Sequence, residues 1–559
     1  MITTRDHYSG DLFDPWAHLG PRRRALLERS WAGVVRQHLL GHLPVGQLAP
    51  FFDAALGRPG KDLHVAMGAL ILQQLHDLSD AAAAEAIAFN EAWHYALDAR
   101  GEEDMYLCER TLRNYRAMVV AGGLDEVLFR VLSDQLIEAF EVDPTRQRLD
   151  STVLRSNMRK LTRLGVLCET MQKFLGELSR HDAALYARVD PALLGRHVDG
   201  EQGGCFGVAR PSEAKRRLPQ AAADLLLLVR AFAGTSAADL PAYRLIERVL
   251  REQCEVIDAG GGEGEKLRVK EDTELSGDVL QNPSDPDSTY NAHKGQGHMV
   301  QIMETYQPDP PAAPGQQEAG DDGTTEQSPL RQPLKPDLIT HVAVGTMTGH
   351  DIAAVKPALE DTAARGIAPG QILADTHYGL GENIEMAAAM GVELISPAQP
   401  PAGSQQEPRR LSLEQFILDE KGQVKQCPAG HAPLSVSTSK NGVNYQARFD
   451  AATCAACPLR AQCPVQEPRS PRDRTTRLQY QGERLVMRQR RLDEQEPQFQ
   501  QRYRWRAGIE ATMSRLKHQM GWAALRVRGK AAIAYEAFMG ALGLNILRCA
   551  HCVAVNARG

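Results

Sequence analysis

Two short runs of strand character, RQRLDSTVL (146–154) and QILAD (371–375), each carry an aspartate where the strand is read to end, Asp150 and Asp375. The first alternates and is partly β-branched, and the second is a short apolar run suited to burial on both faces. Further strands are predicted at GHMVQIMETY (297–306), LITHVAVG (338–345) and 392–396. Helices are predicted over 357–365, with Pro357 in the tolerated first turn, and over 382–390. The order is strand, strand, strand, helix, strand, helix, strand, with a long helix later. That order specifies a mixed α/β sheet interrupted by insertions. Acidic groups collect at the carboxyl ends of strands in such sheets, and burying them is costly unless they are paired or hold a metal. Taken singly, each aspartate equally well caps the turn that follows it.

The 559 residues exceed one compact core and divide into units of roughly 100–200 residues. Residues 1–140 read as helical. In 61–98, Leu63, Met67, Leu70, Ile71 and Leu75 form an apolar stripe, and Ser79 caps a second helix. A third helix, 111–120, continues a row of cations at Arg110, Arg113 and Arg116. Such short helices suit a helix-turn-helix on DNA, and a plain helical bundle fits equally. Residues 141–396 hold the sheet, with an amphipathic helical insertion at 155–258 and a Pro-rich linker at 307–336. The loop AGGGEGEK (259–266) fails as a phosphate cradle, because Leu267 stands where Ser or Thr is needed. Residues 397–482 form a Cys-rich insertion and 483–559 the last helices. No run of about 18 apolar residues is found, so no membrane span is expected. The first residues, MITTRDHYSGDLFDPW, lack the pattern of a secretory leader. Ten cysteines without such a leader suit a reducing cytosol.

The net charge of −6 hides a polarised distribution. Residues 471–530 carry fifteen Lys or Arg against six Asp or Glu, leaving −15 for the rest. A local basic stripe is the footprint of a polyanion site, or of a solvated Arg-rich helix. Within it lies QRYRWRAGIEATMSRLKHQMGW, 501–522. At about 100° per residue from Tyr503, Arg506, Glu510 and Lys517 fall at roughly 300°, 340° and 320°, on one helix face. An acid flanked by two cations and a phenol suits a metal-bound phosphodiester, with Glu510 on the metal and Arg506 and Lys517 on phosphate oxygens. An i, i+4 ion-pair helix is the competing reading. Cys427, Cys454, Cys457 and Cys463, spaced C-x26-C-x2-C-x5-C, suit tetrahedral structural Zn²⁺, with His431 as a substitute ligand. Free thiols remain the alternative. Cys549 and Cys552 lack a partner pair and are expected as thiols on a terminal helix.

Tyr503-x2-Arg506-x3-Glu510-x6-Lys517 matches the Y-R-E-K signature of DDE transposases from bacterial insertion sequences. LDST at Asp150 and ILADTHYGLGEN at Asp375 resemble their two acidic motifs. SDPDSTYNAHKGQGHMVQ (284–301) is similar to their β-hairpin region, and the helical segment from Gly57 to Leu97 to their N-terminal domain. The layout over about residues 45–545 most resembles the insertion-sequence family numbered eleven-eighty-two. This resemblance implies a ribonuclease-H-like fold with Asp150 on the first strand, Asp375 after the fourth and Glu510 on a later helix. It implies two Mg²⁺ (or Mn²⁺) held by these three carboxylates, hydrolysis at the terminal inverted repeats, and joining of the freed 3′-hydroxyl to target DNA. Tyr503, Arg506, Lys517, Arg504, Arg526 and Arg528, with Arg110, Arg113 and Arg116, would contact DNA. Double-stranded DNA at element ends and target, and a homodimer on it, are the implied partners, with no membrane. The implied setting is the bacterial cytoplasm, nucleoid-associated when bound to DNA. A catalytically inactive, domesticated DNA-binding protein and a plain ribonuclease-H-like nuclease are the rival readings. The acidic, Pro-rich linker departs from the family pattern.

Overall fold

Strand β1 (Arg146–Leu154) pairs on both edges and so fixes the sheet around it. On one side it runs antiparallel to β2 (Gly295–Thr305), which is antiparallel to β3 (Ile339–Thr346). On the other it runs parallel to β4 (Gln371–Ala374), which is parallel to β5 (Glu393–Ile395). The order across the sheet is β3-β2-β1-β4-β5, with the short strand Thr289–Asn291 folded onto the start of β2. The computed structural model describes residues 14–52, 60–198, 211–258, 265–308, 333–349, 351–400, 410–439, 442–468, 470 and 473–558. The central 309–332 of the Pro-rich linker lie outside the described residues, as do 259–264.

The expected strands are present, with one informative difference. β1 does not end near Asp150 but continues to Leu154. Its antiparallel partner is eleven residues long and supplies pairing as far as Leu154 opposite His298. Only the parallel pairing stops early, at Leu149 opposite Ala374. Asp150 therefore sits inside a paired strand, at the point where its other neighbour leaves the sheet. Glu265 and Lys266, expected in a loop, belong to a hairpin formed by Cys254–Asp258 and Glu265–Val269.

The longer N-terminal helices are α1 (Leu63–Leu75), α2 (Asp80–Phe89), α3 (Glu109–Ala121) and α4 (Leu124–Ala139), preceded by shorter ones at Gly20–Glu28 and Trp31–Val34. Ser79 Oγ accepts the Ala82 N–H and caps α2 as expected. In α1 every residue is buried, not just a stripe, because the long C-terminal helix Lys530–Asn556 covers it. That C-terminal helix also packs on α4 and β3. It is the one helix among the described residues long and apolar enough to cross a membrane, and 67% of its most apolar window is buried. Cys549 and Cys552 lie on it, buried and free, with burial raising both thiols.

The helical insertion has its own core. In α5 (Arg163–His181), α6 (Pro211–Phe232) and α7 (Pro241–Gln253), Leu167, Phe174, Phe232, Tyr243 and Ile246 pack together. Asp224 on α6 is wholly buried, accepting from Arg196 at 2.6 and 2.9 Å, from Gln220 at 3.1 Å and pairing with His197 at 2.9 Å. Helix α8 (Val355–Ala364) connects β3 to β4, and α9 (Gly381–Ala389) connects β4 to its parallel neighbour β5. Beyond them, β6 (Ser435–Thr438), β7 (Asn444–Asp450) and β8 (Thr475–Gln481) make a small antiparallel sheet. Phe416, Phe449, Leu478 and Tyr480 form its core.

Burial alone would raise the Asp224 carboxyl, but His197, Arg196 and Gln220 outweigh it and hold it at about 2. A depressed folded value contributes stability that is complete above the unfolded value of about 4 and is lost as pH falls through about 2. Asp224→Asn is expected to cost roughly 2 kcal/mol at neutral pH. Denaturant melts at stepped pH should show that gap closing between pH 4 and 2.

Candidate active site

The register sets the first two carboxylates side by side. Leu149 and Ala374 are opposite one another on parallel strands, so Asp150 and Asp375 follow at adjacent positions. Burial raises the Asp150 carboxyl, Arg506 opposes this, and the charges of Asp375 and Asp351 add to it. Asp375 also caps its own turn, its Oδ1 accepting the His377 N–H at 2.8 Å. That turn is pinned from behind. Ser396 Oγ donates to the Asp375 carbonyl at 2.6 Å. Arg490, from α10 (Gly482–Asp493), donates to the carbonyls of Gly379 and Ser396, each at 2.6 Å. Gly379 is required here, since a Cβ would lie 2.3 Å from Ser396 Oγ. His377 is exposed, whereas Tyr378 is buried as a packed aromatic.

The helix expected over 501–522 is broken. α11 (Pro497–Tyr503) gives way to a 3₁₀ turn, Arg504–Ala507, before α12 (Gly508–Gln519). The cause is visible in the backbone. The Trp505 carbonyl accepts the Gly508 N–H three residues on, and it also accepts Arg148 Nη1 from β1 at 2.9 Å. Gly508 permits this approach, because a Cβ there would meet Arg148 Nη1 at 2.1 Å. Arg506, Glu510 and Lys517 nevertheless remain near one another. Arg506 Nη2 lies 2.7 Å from Asp150 Oδ2 while its Nη1 lies 3.1 Å from Glu510 Oε1. One guanidinium therefore joins the carboxylates of β1 and α12. Asp150, Glu510 and Lys517 line a common open cleft with Thr152, Ser514 and His518. Tyr503 stacks on Phe499 at 5.5 Å and packs against the apolar cluster of Tyr306, Leu373 and Ile395. Burial raises the Tyr503 phenol, and the charges of Asp375 and Asp150 reach it.

The remaining sequence candidates are distributed differently. Arg504 stacks on Trp505, 4.9 Å from the ring centroid. Arg526 Nη1 bonds Asp77 Oδ1 at 2.7 Å, and Arg528 Nε bonds the Asn157 carbonyl. In the N-terminal helices Arg110 and Arg113 are exposed, while Arg116 is tied to Asp80 and to Gln73 at 2.8 Å. Arg116 thus carries an internal link between α3 and α2. Sequence reasoning missed Arg148, Arg490, Glu304 and Asp351. The only signal for Asp351 was an acid shortly after the predicted strand 338–345.

Cys427, Cys454, Cys457, Cys463 and His431 line one small apolar cavity. The Cys427 turn closes with the Gly430 N–H on the Cys427 carbonyl at 2.9 Å and the His431 N–H on Cys427 Sγ at 3.4 Å. Burial raises the Cys463 thiol, and Cys454 and Cys427 push it the same way. Among the described residues, no three His, Cys, Asp or Glu side chains are already arranged to share a metal ion.

Residues 426–550 match a family described as the transposase DDE domain, and residues 36–117 match one described as a transposase domain. The two matches indicate a transposase family. The first runs from the Cys427 turn through Glu510 to the C-terminal helix, here labelled α13, and the second spans α1 and α2 and most of α3. Asp150 and Asp375 lie outside both matched segments. None of the curated proteins matches the chain.

Gly508→Ala tests the break that aims Glu510 at Asp150. Arg148 is only 7% exposed and paired to Glu304, so its guanidinium has nowhere to retreat. A loss of about 1–3 kcal/mol is expected in a denaturant melt. Retention of wild-type stability would show that α12 can shift freely.

Proposed function

We propose that the chain is a DNA transposase with a ribonuclease-H-like catalytic domain, acting on the terminal inverted repeats of an insertion sequence. The strand order β3-β2-β1-β4-β5, antiparallel on one side of β1 and parallel on the other, supports that fold. The observation that carries the function is Arg506, whose guanidinium hydrogen-bonds Asp150 and Glu510 while Asp375 stands just past the neighbouring strand. A cation already stands between carboxylates from two distant parts of the chain, and the donor set is all hard oxygen, as Mg²⁺ or Mn²⁺ requires. Asp150, Asp375 and Glu510 would hold two such ions, which activate the attacking oxygen and stabilise the leaving one at a phosphodiester.

The chain's own residues then divide the work. Lys517 lines the cleft and Arg506 bonds two of its carboxylates, and both carry charge suited to phosphate oxygens. Tyr503 sets a half-buried phenol within reach of the Asp375 and Asp150 charges. Arg490 and Ser396 keep the Asp375 turn in place while substrate enters. The exposed Arg110 and Arg113 suit phosphate contacts at element ends, and Arg504 is placed to meet DNA near the cleft. Assembly on paired ends as a homodimer is part of this reading.

Asp150→Ala, Asp375→Ala and Glu510→Ala are each expected to abolish divalent-metal-dependent nicking of DNA carrying the element ends while leaving specific end binding intact. Nicking at wild-type rate by any one of them overturns the assignment. Cutting without joining in a strand-transfer assay would instead favour a nuclease, and binding without any cutting by the wild type would favour a domesticated DNA-binding protein.

The four cysteines fit a structural Zn²⁺ by donor type and shared cavity, stapling a subdomain of modest apolar core. Purified protein is expected to carry about one zinc per chain. Cys454→Ser should lower both the zinc content and the thermal midpoint, and a zinc-free wild type of full stability would contradict the site.

A further inference from the structure

A hydrogen-bonded chain of side chains runs behind the candidate site and uses none of the residues assigned above. Tyr378, three positions beyond Asp375, donates its hydroxyl to Gln301 Oε1 at 2.5 Å. Gln301 Nε2 donates to Asp351 Oδ1 at 2.8 Å, and Lys294 Nζ lies 3.3 Å from Asp351 Oδ2. Lys294 Nζ then donates to Ser151 Oγ at 3.2 Å. The chain starts in the turn of Asp375 and ends beside Asp150. Gln301 stands directly opposite Ser151 on β2, so it crosses the sheet at the register position next to Asp150. Asp351 also acts on Asp150 directly, its charge adding to that of Asp375. Its side chain is 13% exposed and both of its oxygens are engaged.

From this geometry we infer that Asp351 is a positioning residue, which with Lys294 and Gln301 sets the separation of Asp150 and Asp375. The inference rests on the function proposed above. Asp375 follows a four-residue strand, and among the described residues its carboxylate is hydrogen-bonded by its own turn alone. A bracket anchored on the adjacent, longer strands fixes it relative to Asp150. Asp351 is central because its two oxygens reach in opposite directions, one to the Gln301–Tyr378 arm and one to the Lys294–Ser151 arm. The Lys294 charge offsets that of Asp351, so the bracket adds little net negative charge beside three carboxylates. Groups that orient metal ligands from behind are commonly worth 10–100-fold in metal affinity or rate.

The test uses the full-length protein with Mn²⁺ as probe. Asp351→Ala is expected to weaken Mn²⁺ binding, measured by calorimetry, by about 10–100-fold. It should slow single-turnover end cleavage and raise the Mn²⁺ concentration for half-maximal rate, while element-end affinity and thermal midpoint stay at wild-type values. Asp351→Asn keeps an acceptor for Gln301 but loses the ion pair, so it should fall between. Lys294→Met placed on Asp351→Asn should add nothing further. Mn²⁺ binding and cleavage by Asp351→Ala indistinguishable from wild type overturn the inference. Should Asp351→Ala fail to fold, wild-type Mn²⁺ binding and cleavage by Lys294→Met overturn it instead. Asp150→Ala run alongside separates the two failures. If that variant still binds Mn²⁺ and cleaves, the function falls and the inference with it. If it is inert while Asp351→Ala is normal, only the bracket falls.

Discussion

Glu304 is wholly buried on β2, yet it is surrounded by charge and donors from three other parts of the chain. Arg148 of β1 reaches it at 2.7 Å, Arg548 of α13 at 2.8 Å, and Thr512 of α12 at 2.7 and 2.9 Å. Burial would raise this carboxyl, but Arg548 and Arg148 outweigh that and hold it below its ordinary value. An ion cluster of this kind adds little net stability compared with well-packed apolar groups, whereas losing one member leaves an unpaired buried charge at a cost of about 3–5 kcal/mol. Its effect is therefore one of geometry. α12 docks on the sheet with Thr512 bonded to Glu304, and that docking sets Glu510, two residues earlier, near Asp150 in the middle of β1.

The same Arg148 carries a second constraint. While its Nε holds Glu304, its Nη1 takes the Trp505 carbonyl and converts the entry to α12 into a 3₁₀ turn. That turn delivers Arg506 to Asp150. The candidate site is thus assembled from three pieces locked by buried polar contacts: β1 and α12 through Arg148 and Glu304, and the Asp375 turn through Ser396 and Arg490. The carboxylates themselves are not locked. Glu510 is 68% exposed, and Arg506 is a cation that phosphate can recruit. Rigid supports around adaptable ligands suit a site that must exchange an internal ion pair for metal and DNA.

How much of this was legible in the sequence depended on the range of the forces involved. Short apolar runs with turn residues at their ends located β2, β3, β4 and β5 within about two residues. Residue spacing alone put Arg506, Glu510 and Lys517 on one helix face; α12 carries Glu510 and Lys517, while Arg506 comes from the 3₁₀ turn before it and still reaches Glu510. The cap at Ser79 was a local signal and was met. Long-range effects were illegible. α1 is buried along its whole length because α13, more than 450 residues later, lies over it while neighbouring N-terminal helices cover its other sides. The break before α12 comes from an arginine on β1. Arg116 looked like a free cation until Asp80 and Gln73 were seen to hold it. β1 outran its expected end because the length of its partner, not its own composition, decides where pairing stops.

The central claim is that Asp150, Asp375 and Glu510 serve one metal centre. Crystals of the full chain grown with element-end DNA and Mn²⁺, measured at the manganese absorption edge, address it most directly. The account predicts anomalous peaks about 2.1 Å from oxygens of all three side chains, with Arg506 turned from Asp150 towards a phosphate. Peaks elsewhere in the chain, with Arg506 still bridging Asp150 and Glu510 in the presence of DNA, would contradict it.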